Sequence, residues 1–155
     1  AGYCKKNKIK AIGLSDSYNL CGALEFSEDI SKVGTQPIIS SQINFNYSDV
    51  TGKLPIFSKT EIGYKNLTKL SSKSYLDIKP NDQPHCSVND LVENKKDLIV
   101  MSGGIESLFA NLIKKNKKKE IDELIEILKK NFLDSFYFEI QRHGDSGEKN
   151  LENLY

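Results

Sequence analysis

Short apolar runs alternate with amphipathic stripes along this chain, and that alternation limits the available folds more than any other feature. Ala11-Ile12-Gly13-Leu14 is apolar and is stopped by the polar stretch Ser15 to Asn19, the pattern of a buried strand entering a loop at its carboxyl end. Leu20, Ala23, Leu24, Ile30 and Val33 then suit a helix to about Lys32, with Gly34 free to adopt the left-handed conformation that stops it. Pro37-Ile38-Ile39 opens a second strand that continues through Ile43 and Phe45 to a turn-rich stretch, Asn46 to Gly52, and Leu54 to Phe57 is a third.

The same reading continues to the end of the chain. Ser58 and Glu61 have capping-box spacing, and Tyr64, Leu67 and Leu70 form the stripe of a helix from about Thr60 to Ser74. Two prolines mark a surface loop over Asp77 to Pro84, before a short helix near Ser87 to Glu93. Leu98-Ile99-Val100-Met101 is the next strand, broken by Ser102-Gly103-Gly104; a short helix near Glu106 to Ile113 follows. Ile121, Leu124, Ile125, Leu128 and Phe132 mark a longer amphipathic helix, and Phe136 to Ile140 the last strand. Strands separated by helices imply an α/β fold with largely parallel strands and outer helices, as an open sheet or a segment of a barrel. Neither end carries capping chemistry, so the chain reads as a fragment that begins inside a helix and stops within one opening at Glu148.

Composition removes several function classes. No apolar run approaches the roughly 20 residues a membrane-spanning helix needs, and the first residues lack the order of a secretory signal, so a cytoplasmic location and no membrane partner are expected. The three cysteines, Cys4, Cys21 and Cys86, have no C-x-x-C spacing, which fits reduced thiols better than a zinc knuckle or disulfide framework. Twenty-two basic against twenty-one acidic residues give a formal net charge of +1, too little for a global field that attracts nucleic acid. The basic run Lys114 to Lys119 suits a solvated joint between helices, His85 beside Cys86 is an isolated pair, and Ser102-Gly103-Gly104 lacks the lysine and spacing of a P-loop.

Four blocks, in order, carry a family resemblance. Ala11 to Phe26 (A-I-G-L-S-D-S-Y-N-L-C-G-A-L-E-F) resembles A-x-x-L-T-D-x-x-N-L-F-G-A-x-E-F; Gly34 to Ser40 (G-T-Q-P-I-I-S) is similar to the following stretch of the same family. Glu61 to Leu67 (E-I-G-Y-K-N-L) looks like E-x-G-Y-x-N-L, and Phe136 to His143 (F-Y-F-E-I-Q-R-H) looks like F-Y-x-E-x-Q-R-H. Together they resemble the PHP (polymerase and histidinol phosphatase) domain of the bacterial replicative DNA polymerase III alpha subunit. The resemblance implies a distorted (β/α)7 barrel related to the TIM barrel, with chemistry at the carboxyl ends of the strands. Residues 1–155 would form one partial PHP domain, with the first strand and its His-x-His motif before Ala1 and the last metal-binding strands after Tyr155.

Active PHP domains, by that resemblance, hold two or three metal ions on His, Asp and Glu ligands. Here the aspartate of the first block is Asp16, and the position after it, a histidine in active members, is Ser17. A glutamate position of the second block aligns with Gln42, while His143 matches a retained histidine. A hydroxyl and an amide are poor substitutes for imidazole and carboxylate, so the centre reads as degraded, with Asp16 and His143 its remaining ligand candidates. The alternatives are a loop aspartate bonding backbone near Asn19 and an exposed imidazole before Gly144.

Two functions follow from the resemblance. The first is a structural, partner-binding segment of the polymerase subunit, with other replicase subunits such as a proofreading exonuclease as partners and DNA met through other domains. It needs no cofactor in this segment, and magnesium serves the parent polymerase. The second is a metal-dependent phosphoesterase or 3′-to-5′ proofreading exonuclease using zinc or manganese.

Overall fold

The computed structural model describes residues 1–154. In chain order the elements are α1 (Gly2–Lys6), β1 (Ala11–Ser17), α2 (Ala23–Ser31), β2 (Gln36–Tyr47), β3 (Val50–Ser58), α3 (Glu61–Leu76), β4 (Cys86–Ser87), α4 (Val88–Glu93), β5 (Leu98–Met101), α5 (Leu108–Lys114), α6 (Lys118–Phe132), β6 (Phe136–Tyr137) and α7 (Glu148–Glu152). The strands make one sheet in the order β1-β2-β3-β5-β6, with β4 beside the far end of β2. Parallel pairing joins β1 to β2, β2 to β4 and β5 to β6, whereas β3 is antiparallel to both β2 and β5. Five strands therefore share one direction and β3 alone is reversed, which makes the sheet mixed. Among the described residues β1 and β6 each have one paired side, so closure into a barrel is not seen.

The reversal comes from a hairpin. The expected turn over Asn46 to Gly52 contracts to two residues, Ser48 and Asp49, with φ of +49° and +60°, and Tyr47 pairs directly with Val50. Two successive left-handed residues match the twist of the flanking strands, the geometry of two-residue hairpins. Lys115 Nζ donates to the Asp49 carbonyl at 3.3 Å, and Lys117 Nζ donates to the Ser48 carbonyl at 3.0 Å and the Asp49 carboxylate at 2.5 Å. The basic run thus clasps the hairpin tip.

Side-chain alternation along the paired strands creates two unlike faces. Ser41, Ile43 and Phe45 of β2, Leu54 and Ile56 of β3 and Leu98 and Val100 of β5 share a fully buried face. Leu67 and Leu70 of α3, Phe109 and Leu112 of α5 and Leu124 and Leu128 of α6 belong to the same buried cluster. The Phe109 and Phe136 rings stack at 6.4 Å between centroids. Each fully buried side chain of this size contributes about 1.5–3 kcal/mol, so this face supplies most of the fold's cohesion. The opposite face carries Ser17, Gln42 and Pro55 at one level across three strands.

Other local signals were realised in part, and Ser15 to Ser17, expected as the start of a loop, extend β1. Gly34 is left-handed at φ +77° after α2, and Ser87 caps α4 in a reciprocal box with Asp90. The cap of α3 is Thr60, whose hydroxyl accepts from Gly63 N, and not Ser58, whose hydroxyl donates across the sheet to the Ile39 carbonyl. Beyond Tyr137 the chain leaves the ladder, because Glu139 N donates to the Ser102 hydroxyl at 2.8 Å instead of to a strand.

Gly63 packs its backbone on the next crossing segment: a Cβ there would lie 2.1 Å from the Asp97 carbonyl oxygen, while one at Gly2 would meet nothing within 4 Å. Gly63→Ala is expected to lower the urea unfolding free energy by about 1–3 kcal/mol, the usual cost of overpacking. Gly2→Ala should leave the midpoint unchanged or slightly raised; equal midpoints for the two variants would contradict this packing.

Candidate functional site at the carboxyl ends of the strands

A cleft of about 230 Å³ lies beside the middle of β2 and β3, lined by Gln42, Lys53 and Pro55, by the loop Gly103 to Ser107 that follows β5, and by Gln141 after β6. Strand alternation places Gln42 and Lys53 on the face away from the helices. Gly103 turns the chain at φ +75°. Gly104 lets Gln141 approach, since a Cβ there would lie 2.0 Å from the Gln141 side-chain oxygen.

The cleft's fixed charge is Lys53. Its side chain is only 17% exposed, its Nζ lies 2.6 Å from a Glu106 carboxylate oxygen, and it sits 5.2 Å from the centroid of the Tyr18 ring. Tyr18 is itself left-handed at φ +69°, with its carbonyl accepting from the Tyr75 hydroxyl at 3.0 Å. Hydrogen bonding to Glu106 holds the Lys53 ammonium above its ordinary range against the opposing effect of burial. The same bond holds the Glu106 carboxyl below its own.

The residues singled out from sequence are only partly assembled. Ser17 is the register partner of Gln42, whose side-chain nitrogen lies 3.4 Å from the Ser15 carbonyl. The buried Ser15 hydroxyl on that face has no hydrogen-bond partner among the described residues. Asp16 projects to the opposite face, where its Oδ2 abuts the start of α2: a Cβ at Gly22 would lie 2.9 Å from it. The Ser41 hydroxyl donates to the Asp16 carbonyl, and Asn19 instead forms the local turn, accepting from Cys21 N.

His143 is exposed. Its backbone N, with those of Gly144 and Asp145, donates to the Glu148 carboxylate at 2.9–3.2 Å, and those amides hold Glu148 below the ordinary carboxyl range. Among the described residues no three or more His, Cys, Asp or Glu side chains are grouped to hold a metal ion. His85 Nδ1 lies 2.8 Å from the Gln83 carbonyl. Cys86 Sγ donates to the Leu70 carbonyl, and burial pushes its thiol up to about 12. Sequence reasoning missed Lys53, Glu106, Gln141 and Glu148. Only the placement of Lys53 one residue before the apolar Leu54 run, on the alternate face, hinted at a role.

With this geometry established, the chain belongs to the PHP domain family, whose model matches residues 2–143. Within that class it is similar to DNA polymerase III subunit alpha of Vibrio cholerae, at 34% identity over 144 residues, 91% of this chain and 12% of that protein. It is likewise similar to the same subunit of Rickettsia bellii, at 35% identity over 149 residues, 96% of this chain and 13% of that protein. The chain thus spans a small part of the length of the curated relatives it matches. The fold also resembles that of a solved "putative metal-dependent phosphoesterase" from Bifidobacterium adolescentis, at a TM-score of 0.57 and 10% identity, covering 99% of this chain and 75% of that one. No helix among the described residues is long and apolar enough to cross a membrane.

Two expectations follow. A carboxyl depressed in the folded state stabilises above its unfolded value and loses that contribution as pH falls through the folded one. Glu148→Gln should therefore unfold at lower urea than the parent at pH 7, and the gap should close as pH drops below the ordinary glutamate value of 4.5; a gap constant down to pH 3 would contradict the amide cradle. Cys21 is exposed while Cys4 and Cys86 are buried. Native protein should accordingly react quickly with one equivalent of a thiol-disulfide reagent, and with all three cysteines only after unfolding.

Proposed function

We propose that this chain is the PHP segment of a bacterial replicative DNA polymerase III alpha subunit and acts as a structural and partner-binding element around a degraded metal centre. The carrying observation is the lysine in the cleft. Lys53 places a nearly buried cation among Gln42, Gln141 and Ser107, whereas zinc or manganese requires imidazole, carboxylate or thiolate donors. Amide oxygens are weak neutral donors, and an ammonium repels a divalent ion, so this donor set does not fit either metal. With Asp16 on the helix side and His143 held in the Glu148 loop, the one carboxylate lining the cleft is Glu106, which is already paired with Lys53, too few anionic ligands for hydrolytic metal chemistry.

The resemblance that supports this reading also supplies the partners: other subunits of the replicase, such as a proofreading exonuclease, with DNA engaged by other parts of the polypeptide and magnesium used by the polymerase centre. The free edges of β1 and β6 and the exposed Tyr137 and Ile140 offer the surface on which further strands or subunits would settle. A phosphoesterase or 3′-to-5′ exonuclease reading draws its support from Asp16, His143 and the fold neighbour, and fold does not fix activity.

Metal analysis and exonuclease assays on the full polypeptide carrying this chain decide between them. The expected result is well under one zinc or manganese per protein after dialysis, with any 3′-to-5′ activity unchanged by His143→Ala. Stoichiometric metal, together with activity abolished by that substitution, would reject the degraded centre.

A further inference from the structure

Leu133 occupies a position that folding alone does not explain. It ends α6 at φ +47° and ψ −119°, where glycine sits freely and a γ-branched residue only under strain, and its side chain is 75% exposed. Two lysines from other segments bracket it. Lys59, just after β3, donates from Nζ to the Ser135 hydroxyl at 3.1 Å, and Lys95, before β5, donates from Nζ to the Asn131 side-chain oxygen at 2.8 Å. Both acceptors are neutral, so the two ammonium groups are positioned with their charge intact. Lys96 and Lys130, beside them in the chain, are also exposed. Among the described residues none of these four lysines has a carboxylate within ion-pair distance, whereas Lys65 of α3 and Lys119 and Lys129 of α6 each do. Segments 59–60, 95–97 and 130–135 thus hold four lysines against the two carboxylates of Asp97 and Asp134, an excess of two positive charges. Asp97 is itself engaged, accepting from the Thr60 hydroxyl at 2.7 Å.

We infer that this end of the sheet docks an acidic segment of another protein, which sets an apolar side chain on Leu133 between carboxylates that meet Lys59 and Lys95. The inference rests on the reading of this chain as a partner-binding element of a larger polypeptide. Charge complementarity selects an anionic partner, and the leucine selects which kind. Lysines alone would suit a phosphate backbone as well, but an aliphatic side chain neither stacks on a base nor pairs with a phosphate, whereas it packs against another apolar side chain. Ile62, on the first turn of α3 shortly after Lys59, is a second exposed aliphatic group, at 45%. The surface lies where β3 ends and β5 and β6 begin, and it shares no residue with the cleft around Lys53. The strain at Leu133 is then the cost of presenting an apolar anchor at the end of a helix, with the fixed lysines setting the direction from which a carboxylate approaches.

The test is fluorescence anisotropy of a fluorescein-labelled hexapeptide, Glu-Asp-Leu-Phe-Asp-Glu, titrated with the full polypeptide carrying this chain. Binding is expected to weaken about tenfold when Lys59→Glu and Lys95→Glu are combined, and to weaken as NaCl rises from about 50 mM to about 500 mM. Leu133→Gly is expected to move two properties apart: the peptide binds about tenfold more weakly, while the thermal midpoint is unchanged or raised because the backbone strain is relieved. A lowered midpoint would make Leu133 a structural residue and overturn the proposal. Absence of saturable binding, or binding insensitive to all three substitutions, would overturn it too. Displacement of the peptide by oligothymidylate as effectively as by unlabelled peptide would assign the surface to nucleic acid instead. Concentration-dependent self-association abolished by Leu133→Gly would assign it to a second copy, and either result rejects the acidic segment. The surface can fail in these ways while the degraded centre stands, and stoichiometric metal would reject that centre without moving the peptide's affinity.

Discussion

The period-two alternation of the β2-β3 hairpin is the constraint from which the remaining architecture follows. A residue's parity decides whether it joins the Ile43, Leu54 and Ile56 face, which the helices seal from water, or the Gln42, Lys53 and Pro55 face, which borders the cleft. A slip of one residue in this pairing would exchange the two sets, burying an ammonium and an amide and exposing the largest aliphatic side chains. Core and cleft are thus two consequences of one register, and neither can be altered without the other.

Much of this was legible in the chain. The order of strands and helices, the left-handed stop at Gly34, the short helix near Ser87 to Glu93 and the stripe of α6 all follow from local chemistry that tertiary structure did not overrule. The hairpin was harder to see. Asn46, Tyr47, Thr51 and Gly52 have turn-forming or polar side chains, yet they extend the strands, because Val50 is buried and Gly52 must admit the Leu108 backbone, 2.5 Å from where a Cβ would stand. Ser58 was misread as a cap because its hydroxyl finds a carbonyl on the neighbouring strand, a partner no local window contains.

The site was less legible than the fold for the same reason. Ser17 and Gln42 are register partners on adjacent strands. The residue that sets the electrostatics, Lys53, meets its partner Glu106 from 53 positions away, and no periodicity links the two. Asp16 shows how one step along a strand matters: adjacent in sequence to Ser17, it faces the other side of the sheet and supports the start of α2.

The clasp on the hairpin tip carries an implication for how this surface tolerates change. Lys115 and Lys117 reach the main-chain oxygens of Ser48 and Asp49, atoms every amino acid supplies. At Ser48 the turn needs only a left-handed backbone, so glycine or asparagine would serve there, whereas Asp49 also supplies the carboxylate that Lys117 binds. Ser48 can therefore drift in sequence while its position stays pinned from the linker between α5 and α6, and Asp49 is the tip residue whose side chain the clasp reads.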